Sequence, residues 1–230
     1  NMVIVTPGGK KAVMIALDKK TGKEIWVTPP VAKEQHAYSS AIAVEVGGSR
    51  QIINCSSMFV FGVEAKSGKL LWKCPHQMAG PQIVTSPSLA GDLVFVPSVY
   101  LARAISYCAK VGTGDVVWSV KAGDPTGSAI ATDGLLIAAN RGKPSGWRCY
   151  DAATGKITAT QDDIKFGSAV LVDGRYYCVT HQGLVLLMQI SKDSFKVLSQ
   201  FRFIKGKKDT WAHPVVCGGK LYLRYHGDLY

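Results

Sequence analysis

The sequence predicts an all-β protein folded as a β-propeller of four-stranded antiparallel blades. Two independent markers recur along the 230 residues with a common period of 40 to 46 residues, and each period contains four short strand-like segments. No stretch shows helical periodicity long enough to compete with this pattern. A period of roughly 40–50 residues with four strands per unit is typical of a propeller blade.

The first marker is a turn glycine that follows Thr or Ser. Four such glycines are spaced by 46, 46 and 41 residues: Gly22, Gly68, Gly114 and Gly155. Four residues after each of the first three stands a tryptophan: Trp26, Trp72 and Trp118. A glycine adopts the positive φ of a tight hairpin cheaply, and a tryptophan offers a large flat surface to the next blade. We therefore expect the three tryptophans to be buried at equivalent positions.

The second marker is a Ser or His that opens a short apolar strand, which ends five to seven residues later in a glycine turn. The opening residues are spaced by 46, 42, 40 and 45 positions: Ser40, Ser86, Ser128, Ser168 and His213. In the second repeat, strands A to D are predicted at about residues 40–46, 51–55, 60–65 and 70–73. The sequence thus predicts one domain, 1–230, with five to six blades. These are called blades 1 to 6 below and lie at about 1–30, 36–75, 82–122, 126–161, 165–203 and 210–230.

Composition excludes some functions and leaves others open. No apolar run approaches the roughly 18 residues of a membrane-spanning helix. Basic residues outnumber acidic ones by 27 to 16, for a net charge of +11, which favours an acidic partner or an anionic surface. The lysines are nevertheless spread along the chain and many lie in turns, where they can simply be solvated. No aromatic residues are interleaved with them, so nucleic acid is not the predicted partner.

The six cysteines contain no CxxC pair, so neither a zinc site nor a redox motif is predicted. Cys108 and Cys149 both stand six residues before their turn glycine, where the first repeat has Ala16. They therefore share one strand-C position in successive blades, a position suited to a small buried side chain. We expect both to be reduced, buried and inert.

Residues 16–26 match the pattern A-x-D-x-x-T-G-x-x-x-W, which resembles the docking motif of PQQ-type, or quinoprotein-like, propeller repeats. Segments 3–9, 38–40 and 210–214 are similar to bacterial PQQ-like repeat proteins of the polyvinyl alcohol dehydrogenase-like and BamB-like groups. This resemblance implies a propeller of seven or eight blades, hence about two blades upstream of residue 1. It also implies a periplasmic or secreted protein.

The topology of a four-stranded blade places the D–A and B–C connections on one face. All five histidines map to this face, as do Tyr100 and Arg141. The candidate binding residues are His36, Tyr38, Ser40, Ser86, Arg103, Ser128, Trp147, Ser168, His181, Trp211 and His213. The alternative for the serines is that they satisfy backbone groups around a water-filled channel. The histidines lack the close spacing of a zinc site.

Two functions fit this pattern. The predicted one is a non-catalytic scaffold or binding protein that holds a protein partner or a small polar ligand on the histidine-rich face, with no cofactor. The alternative is a PQQ-dependent quinoprotein alcohol dehydrogenase, with Ca²⁺ as Lewis acid. The resemblance implies a vicinal cysteine pair, a calcium-binding set and a catalytic Asp for such an enzyme, and the sequence has no adjacent cysteines. Asp18 and Asp151 match the turn Asp of the repeat instead.

Overall fold

The computed structural model describes residues 1–33, 35–76, 83–98, 105–123, 127–204 and 209–230. Every regular element in these residues is a β-strand, and the strands pair antiparallel with their neighbours in sequence. No helix in this part of the chain has the length and apolarity needed to cross a bilayer. The all-β class predicted from the sequence is confirmed.

The sheets follow one another along the chain, one for each of predicted blades 1 to 5 and two for blade 6. Blade 1 has three strands, β1 (Met2–Val5), β2 (Met14–Asp18) and β3 (Glu24–Thr28). Blade 2 has β4 (Ile42–Val46), β5 (Ser49–Cys55), β6 (Phe59–Glu64) and β7 (Leu70–Pro75). Blade 3 has β8 (Ser88–Ala90), β9 (Leu93–Val96), β10 (Ser106–Lys110) and β11 (Val116–Val120).

The remaining sheets continue the repeat. Blade 4 has β12 (Ile130–Thr132), β13 (Leu135–Asn140), β14 (Gly146–Asp151) and β15 (Ile157–Gln161). Blade 5 has β16 (Gly167–Val172), β17 (Arg175–Thr180), β18 (Leu184–Ser191) and β19 (Ser194–Arg202). In blade 6, β20 (Val215–Cys217) pairs with β21 (Lys220–Tyr222), and β22 (Arg224–Tyr225) pairs with β23 (Asp228–Leu229). The predicted four-stranded antiparallel repeat is therefore present in blades 2 to 5.

The turns between the third and fourth strands have the chemistry that the sequence predicted. The Asp18 carboxylate accepts hydrogen bonds from the backbone N–H groups of Lys20 and Thr21 and from the Thr21 hydroxyl. These bonds stabilise the ionised form and lower the pKa of Asp18, with the Thr21 N–H as the largest contributor. Gly22 follows with a φ of +69°. Asp151 accepts from the Thr154 N–H and hydroxyl in the corresponding turn of blade 4.

The hydrophobic core is divided into clusters that lie between consecutive sheets. Ile52 of β5 packs toward blade 1, whereas the next residue, Ile53, packs toward blade 3. In β13, Leu136 likewise packs toward blade 3 and Ile137 toward blade 5. Successive side chains of a strand point to opposite faces, so each interior strand buries both of its faces. This stacking is the arrangement of propeller blades, and it explains why the interior strands are continuously apolar.

The tryptophans of blades 1 and 3 join each sheet to the next. The Trp26 indole N–H donates to the Ala65 carbonyl in the turn of blade 2, at 3.2 Å. The Trp118 indole N–H donates to the Ala152 carbonyl in the turn of blade 4, at 2.9 Å. The two rings lie directly against the turn glycines of those next blades, which are Gly68 and Gly155. A glycine is thus needed in these turns for two reasons. It has a positive φ, and a tryptophan ring packs so closely against it that no Cβ would fit.

Blade 2 departs from this arrangement. Trp72 is buried, but its indole N–H donates to the Gln51 side chain of its own blade, and the ring lies over Gly62. Gly62 stands opposite Trp72 in the sheet, as Ala16 stands opposite Trp26. Because Gly62 has no side chain, the Trp72 ring occupies the space that a larger residue would fill. The prediction of burial is confirmed for Trp26 and Trp72, whereas Trp118 is only half-buried.

The cysteines are free, and five of the six are buried. Cys108 and Cys149 are fully buried and stand opposite the tryptophan position of their blades, Trp118 and Ala159. Burial raises the pKa of both thiols, and it raises that of Cys74 to about 11. The expectation that Cys108 and Cys149 are unpaired and buried is therefore confirmed.

Thiol titration at neutral pH tests this arrangement. A reagent specific for thiolates should modify Cys217 rapidly in the native protein, because it is the exposed cysteine, and the other five only on unfolding. Six thiols should titrate after denaturation without reductant. Fewer than six, with a Cys108–Cys149 peptide in a digest, would contradict the blade register.

Substitution of the turn glycines tests the tryptophan contact. Gly155→Ala should destabilise the protein by about 1–2 kcal/mol from its positive φ and by a further 1–3 kcal/mol or so from overlap with Trp118. Gly22→Ala is the matched control, because Gly22 has a similar φ but open space at the Cβ position. Urea unfolding measures the difference, which should disappear in a Trp118→Ala background. Equal losses for the two single variants would show that the contact does not constrain the glycine.

Candidate functional site

The serines that open the first strands connect neighbouring blades. The Ser40 backbone N–H donates to the Ser86 hydroxyl at 3.0 Å, and the Ser86 N–H donates to the Ser128 hydroxyl at 3.0 Å. Each serine side chain therefore satisfies a backbone group of the preceding blade. This role is the structural alternative that the sequence left open for these residues.

The same serines line an open cavity, called the ring cavity below, which has a volume of ≈ 480 Å³. Blades 2, 3, 4 and 6 contribute to it through Tyr38, Ser40, Val84, Ser86, Ser128, Trp211 and His213. Six of these seven are candidates predicted from the sequence. Its size lies within the range of about 300–1,000 Å³ that small-molecule sites occupy.

Val84 is the lining residue that sequence reasoning missed. It stands two positions before Ser86, as Tyr38 stands two before Ser40 and Trp211 two before His213. In extended backbone, residues i and i+2 point to the same side. In blades 2, 3 and 6, the position two before the strand opening was therefore a usable sequence signal for the cavity wall.

Two candidates lie in the core instead of on an accessible rim. Trp147 is 2% exposed and belongs to the cluster between blades 4 and 5, where its N–H donates to the Lys165 carbonyl. Ser168 is also 2% exposed. The prediction that Trp147 is a binding residue of the face with the D–A and B–C connections does not fit its burial, because strand β14 starts at Gly146 and carries Trp147 into the interior.

Two further candidates, His36 and His181, lie outside the ring cavity lining. His36 is exposed and meets Tyr38 edge-on, with ring centroids 5.6 Å apart. His181 stacks face to face on Phe166 at 4.1 Å, and the Arg141 guanidinium lies over the same Phe166 ring. These contacts join blades 4 and 5 at the face that carries the connections. Arg103 and Tyr100 lie outside the described residues.

His76 forms a partly buried polar link between blades 2 and 3. Its Nε2 lies 2.8 Å from the Ser56 carbonyl oxygen, and its Nδ1 lies 2.8 Å from the Tyr107 hydroxyl. A carbonyl only accepts, so Nε2 carries the proton and Nδ1 accepts from Tyr107. This arrangement uses the neutral ring. Burial lowers the pKa of His76, and the Ser56 carbonyl opposes that shift in part.

The stability of the protein should therefore depend on pH through His76. A lowered pKa in the folded state means that the unfolded chain binds the proton more tightly, so stability is greatest above the ordinary histidine value of about 6.5. We expect the free energy of unfolding to fall between pH 7.5 and 5.5, and His76→Gln to reduce this slope. Chemical denaturation at several pH values measures it. An unchanged slope in His76→Gln would contradict the assignment.

The chemistry of the ring cavity is that of a neutral binding site. In the described lining, no Asp, Glu, Lys or Arg is present, and His213 is the titratable group besides Tyr38. Across the described part of the chain, no three His, Cys, Asp or Glu side chains are grouped so as to hold a metal ion. The cavity supplies hydroxyl, indole and imidazole groups on partly apolar walls.

Comparison with known proteins places this geometry in context. The chain is 34% identical over 116 residues to the quinohemoprotein alcohol dehydrogenase ADH IIB of Pseudomonas putida, an alignment that covers 43% of this chain and 16% of that enzyme. The chain thus spans about one sixth of the length of this curated relative.

Two solved structures share the fold at low sequence identity. The computationally designed Ika8 protein is 10% identical with a TM-score of 0.68, over 96% of this chain and 63% of that one. A europium-containing methanol dehydrogenase is 14% identical with a TM-score of 0.62, over 83% of this chain and 47% of that one. The model of one family matches residues 1–161, more than half of the sequence. The chain therefore belongs to the PQQ-like repeat family described as outer membrane protein assembly factor BamB.

Proposed function

We propose that this protein is a non-catalytic binding propeller that holds a partner protein at the ring cavity. The observation that carries the proposal is the convergence of four blades on one open cavity with two aromatic rings at its mouth. Tyr38 and Trp211 are 63% and 60% exposed and both line the cavity, so each presents a ring surface to a bound partner. Aromatic residues of this kind are enriched at the centres of protein interfaces.

The lining favours binding over catalysis. General acid–base chemistry needs at least one group poised beside a second group that orients or activates it. Among the described lining residues there is no Asp, Glu, Lys or Arg. The Ser86 and Ser128 hydroxyls each accept a backbone N–H of the preceding blade, which gives both side chains a structural role.

PQQ and calcium do not fit the described residues of the ring cavity. Calcium takes six to eight oxygen ligands, several of them carboxylates, and the described lining contains no Asp or Glu. PQQ carries carboxylate groups that call for cationic partners, and no Lys or Arg belongs to that lining. The donor set is that of a site for uncharged ligands.

The family description supports a role in an assembly complex of the cell envelope. The matching family model is described by outer membrane protein assembly, so we propose a periplasmic protein whose partner belongs to the envelope. A complete ring of seven or eight blades is part of the same proposal, with the blades described above as one arc of it. The opposite face carries the exposed turn lysines Lys19, Lys20, Lys23, Lys69 and Lys156. An anionic surface is the second partner that these side chains suit.

A quinoprotein alcohol dehydrogenase is the second candidate function, and the partial match to the Pseudomonas putida enzyme favours it. Under the primary proposal, protein incubated with PQQ, Ca²⁺, ethanol and an electron-accepting dye should reduce no more dye than the same mixture without protein. Optical absorbance of the purified protein should likewise show no quinone band. A saturable, PQQ-dependent rate of dye reduction would establish the enzyme instead.

Photocrosslinking tests the binding surface directly. With p-benzoylphenylalanine in place of Tyr38 in the full-length protein, irradiated cells of the source organism should yield a discrete protein adduct. The matched control is the same residue in place of Ile157, which is 42% exposed on an outer strand. Trp211→Ala should weaken the adduct from position 38. Identical adducts from both positions, or none from position 38, would contradict a partner at the ring cavity.

A further inference from the structure

The two faces of the protein differ in charge. The D–A and B–C connections form one face, called the connection face below, which carries the ring cavity, and the A–B and C–D turns form the opposite, turn face. Taken with the strand residue at each end, the turns hold ten Lys or Arg and nine Asp or Glu. By the same count, the described connections hold eight and four. The turn lysines are thus almost balanced by carboxylates, whereas cations remain in excess on the connection face.

This excess is concentrated where blades 3, 4 and 5 meet. The Arg141 backbone N–H donates to the Gly123 carbonyl at 2.9 Å, and the Arg141 guanidinium lies 5.4 Å from the centre of the Phe166 ring. His181 of blade 5 stacks on the other side of this contact, against the same ring. The three connections therefore lie side by side. Their exposed cations are called the basic sector below: Lys121, Arg141, Lys143, Lys165 and Arg202.

The two arginines of the basic sector are held in place by the protein itself. Arg141 rests on an aromatic ring, and Arg202 donates from Nη1 to the Gln182 carbonyl at 2.7 Å. The nearby Asp162 carboxylate accepts from Arg148, which is 5% exposed, at 2.6 Å, so its charge is already compensated. A cation fixed before binding loses less conformational entropy on binding. An arginine can also bind a carboxylate through two parallel hydrogen bonds.

We infer that the partner presents an acidic protein surface to the basic sector, together with an uncharged centre on Tyr38 and Trp211. The inference rests on the binding role proposed above and adds the charge of the partner. Protein interfaces combine a centre that is poor in charge and rich in aromatic rings with a polar rim. The described lining of the ring cavity is such a centre, and the basic sector lies on the same face. Complementary charge accelerates the encounter and excludes unsuitable partners.

Nucleic acid and lipid surfaces match this face less well. Asp163 and Asp209 are exposed on it. Both would repel a phosphate backbone or an anionic bilayer, whose negative charges are closely and evenly spaced, whereas a folded protein can place a neutral or basic group opposite each. Single-stranded nucleic acid also needs exposed rings on which bases stack. The aromatic ring within the basic sector, Phe166, is only 7% exposed.

A short acidic peptide tests the charge of the ligand. The probe is hexaglutamate, labelled with fluorescein at its amino end and amidated at the other, and its anisotropy is followed as the full-length protein is added. We expect saturable binding at about 0.05 M salt and binding at least about tenfold weaker at about 0.3 M, because exposed ion pairs are screened.

Two triple variants assign the binding to one face. The first removes three cations of the basic sector: Lys121→Gln, Lys143→Gln and Lys165→Gln. The matched control removes three exposed lysines of the turn face: Lys19→Gln, Lys69→Gln and Lys156→Gln. Both lower the net charge of the chain by the same amount. Hexaglutamate should bind about tenfold more weakly to the first and unchanged to the control, the effect of three exposed ion pairs. Circular dichroism checks that each variant keeps its β-sheet content.

Four results would overturn the inference. They are no saturable binding of hexaglutamate at concentrations on the order of millimolar, equal weakening by the two triple variants, tighter binding of hexathymidylate than of hexaglutamate, or binding of phosphatidylglycerol vesicles without binding of the peptide. The crosslinking from position 38 separates this failure from that of the proposed function. A discrete adduct together with any of these results would reject the acidic partner alone, whereas loss of the adduct would reject the binding role and this inference with it.

Discussion

The packing of each sheet between two neighbours is the constraint on which the rest of this structure depends. Interior strands bury both faces, so Ile52 and Ile53, or Leu136 and Ile137, belong to different clusters although they are adjacent in sequence. A blade alone would expose the apolar residues on both of its faces, so blades are stable only when neighbouring blades cover those faces. In blades 1 and 3, a tryptophan packs on the turn glycine of the next blade and fixes the spacing at the outer edge.

The tryptophan and the glycine change together where the repeat weakens. Blade 4 has Ala159 in place of the tryptophan, and the following turn in blade 5 has no glycine. That turn is closed by a hydrogen bond between the hydroxyls of Ser191 and Ser194. No indole of the described residues packs on this turn. A residue with a Cβ therefore fits here, whereas the tryptophan rings leave no room for one at Gly68 and Gly155. The turn of blade 5 thus lacks both the glycine and an indole that would pack on it.

Hydrogen bonds between strand openings perform the corresponding role at the inner edge, and the candidate site is built upon them. Ser86 and Ser128 each give up an acceptor position to a backbone N–H, which leaves their protons for a ligand. The structural and binding interpretations of these serines are thus compatible. The described lining of the ring cavity contains no Lys, Arg, Asp or Glu, and the turn lysines such as Lys19 and Lys69 lie at the opposite ends of the strands.

The repeat, the strand order and the turn chemistry follow from the sequence alone, because they depend on local periodicity and on residues such as Gly22 and Asp18 that act within one hairpin. The gathering of Tyr38, Ser40, Ser86, Ser128, Trp211 and His213 was also predictable, since equivalent positions of successive blades meet near one axis. Only the tertiary structure determined the direction in which each tryptophan side chain points. Trp147 enters the core and Trp72 stays within its own blade, because the space left by neighbours such as Gly62 sets a side chain's direction and no local pattern records that space.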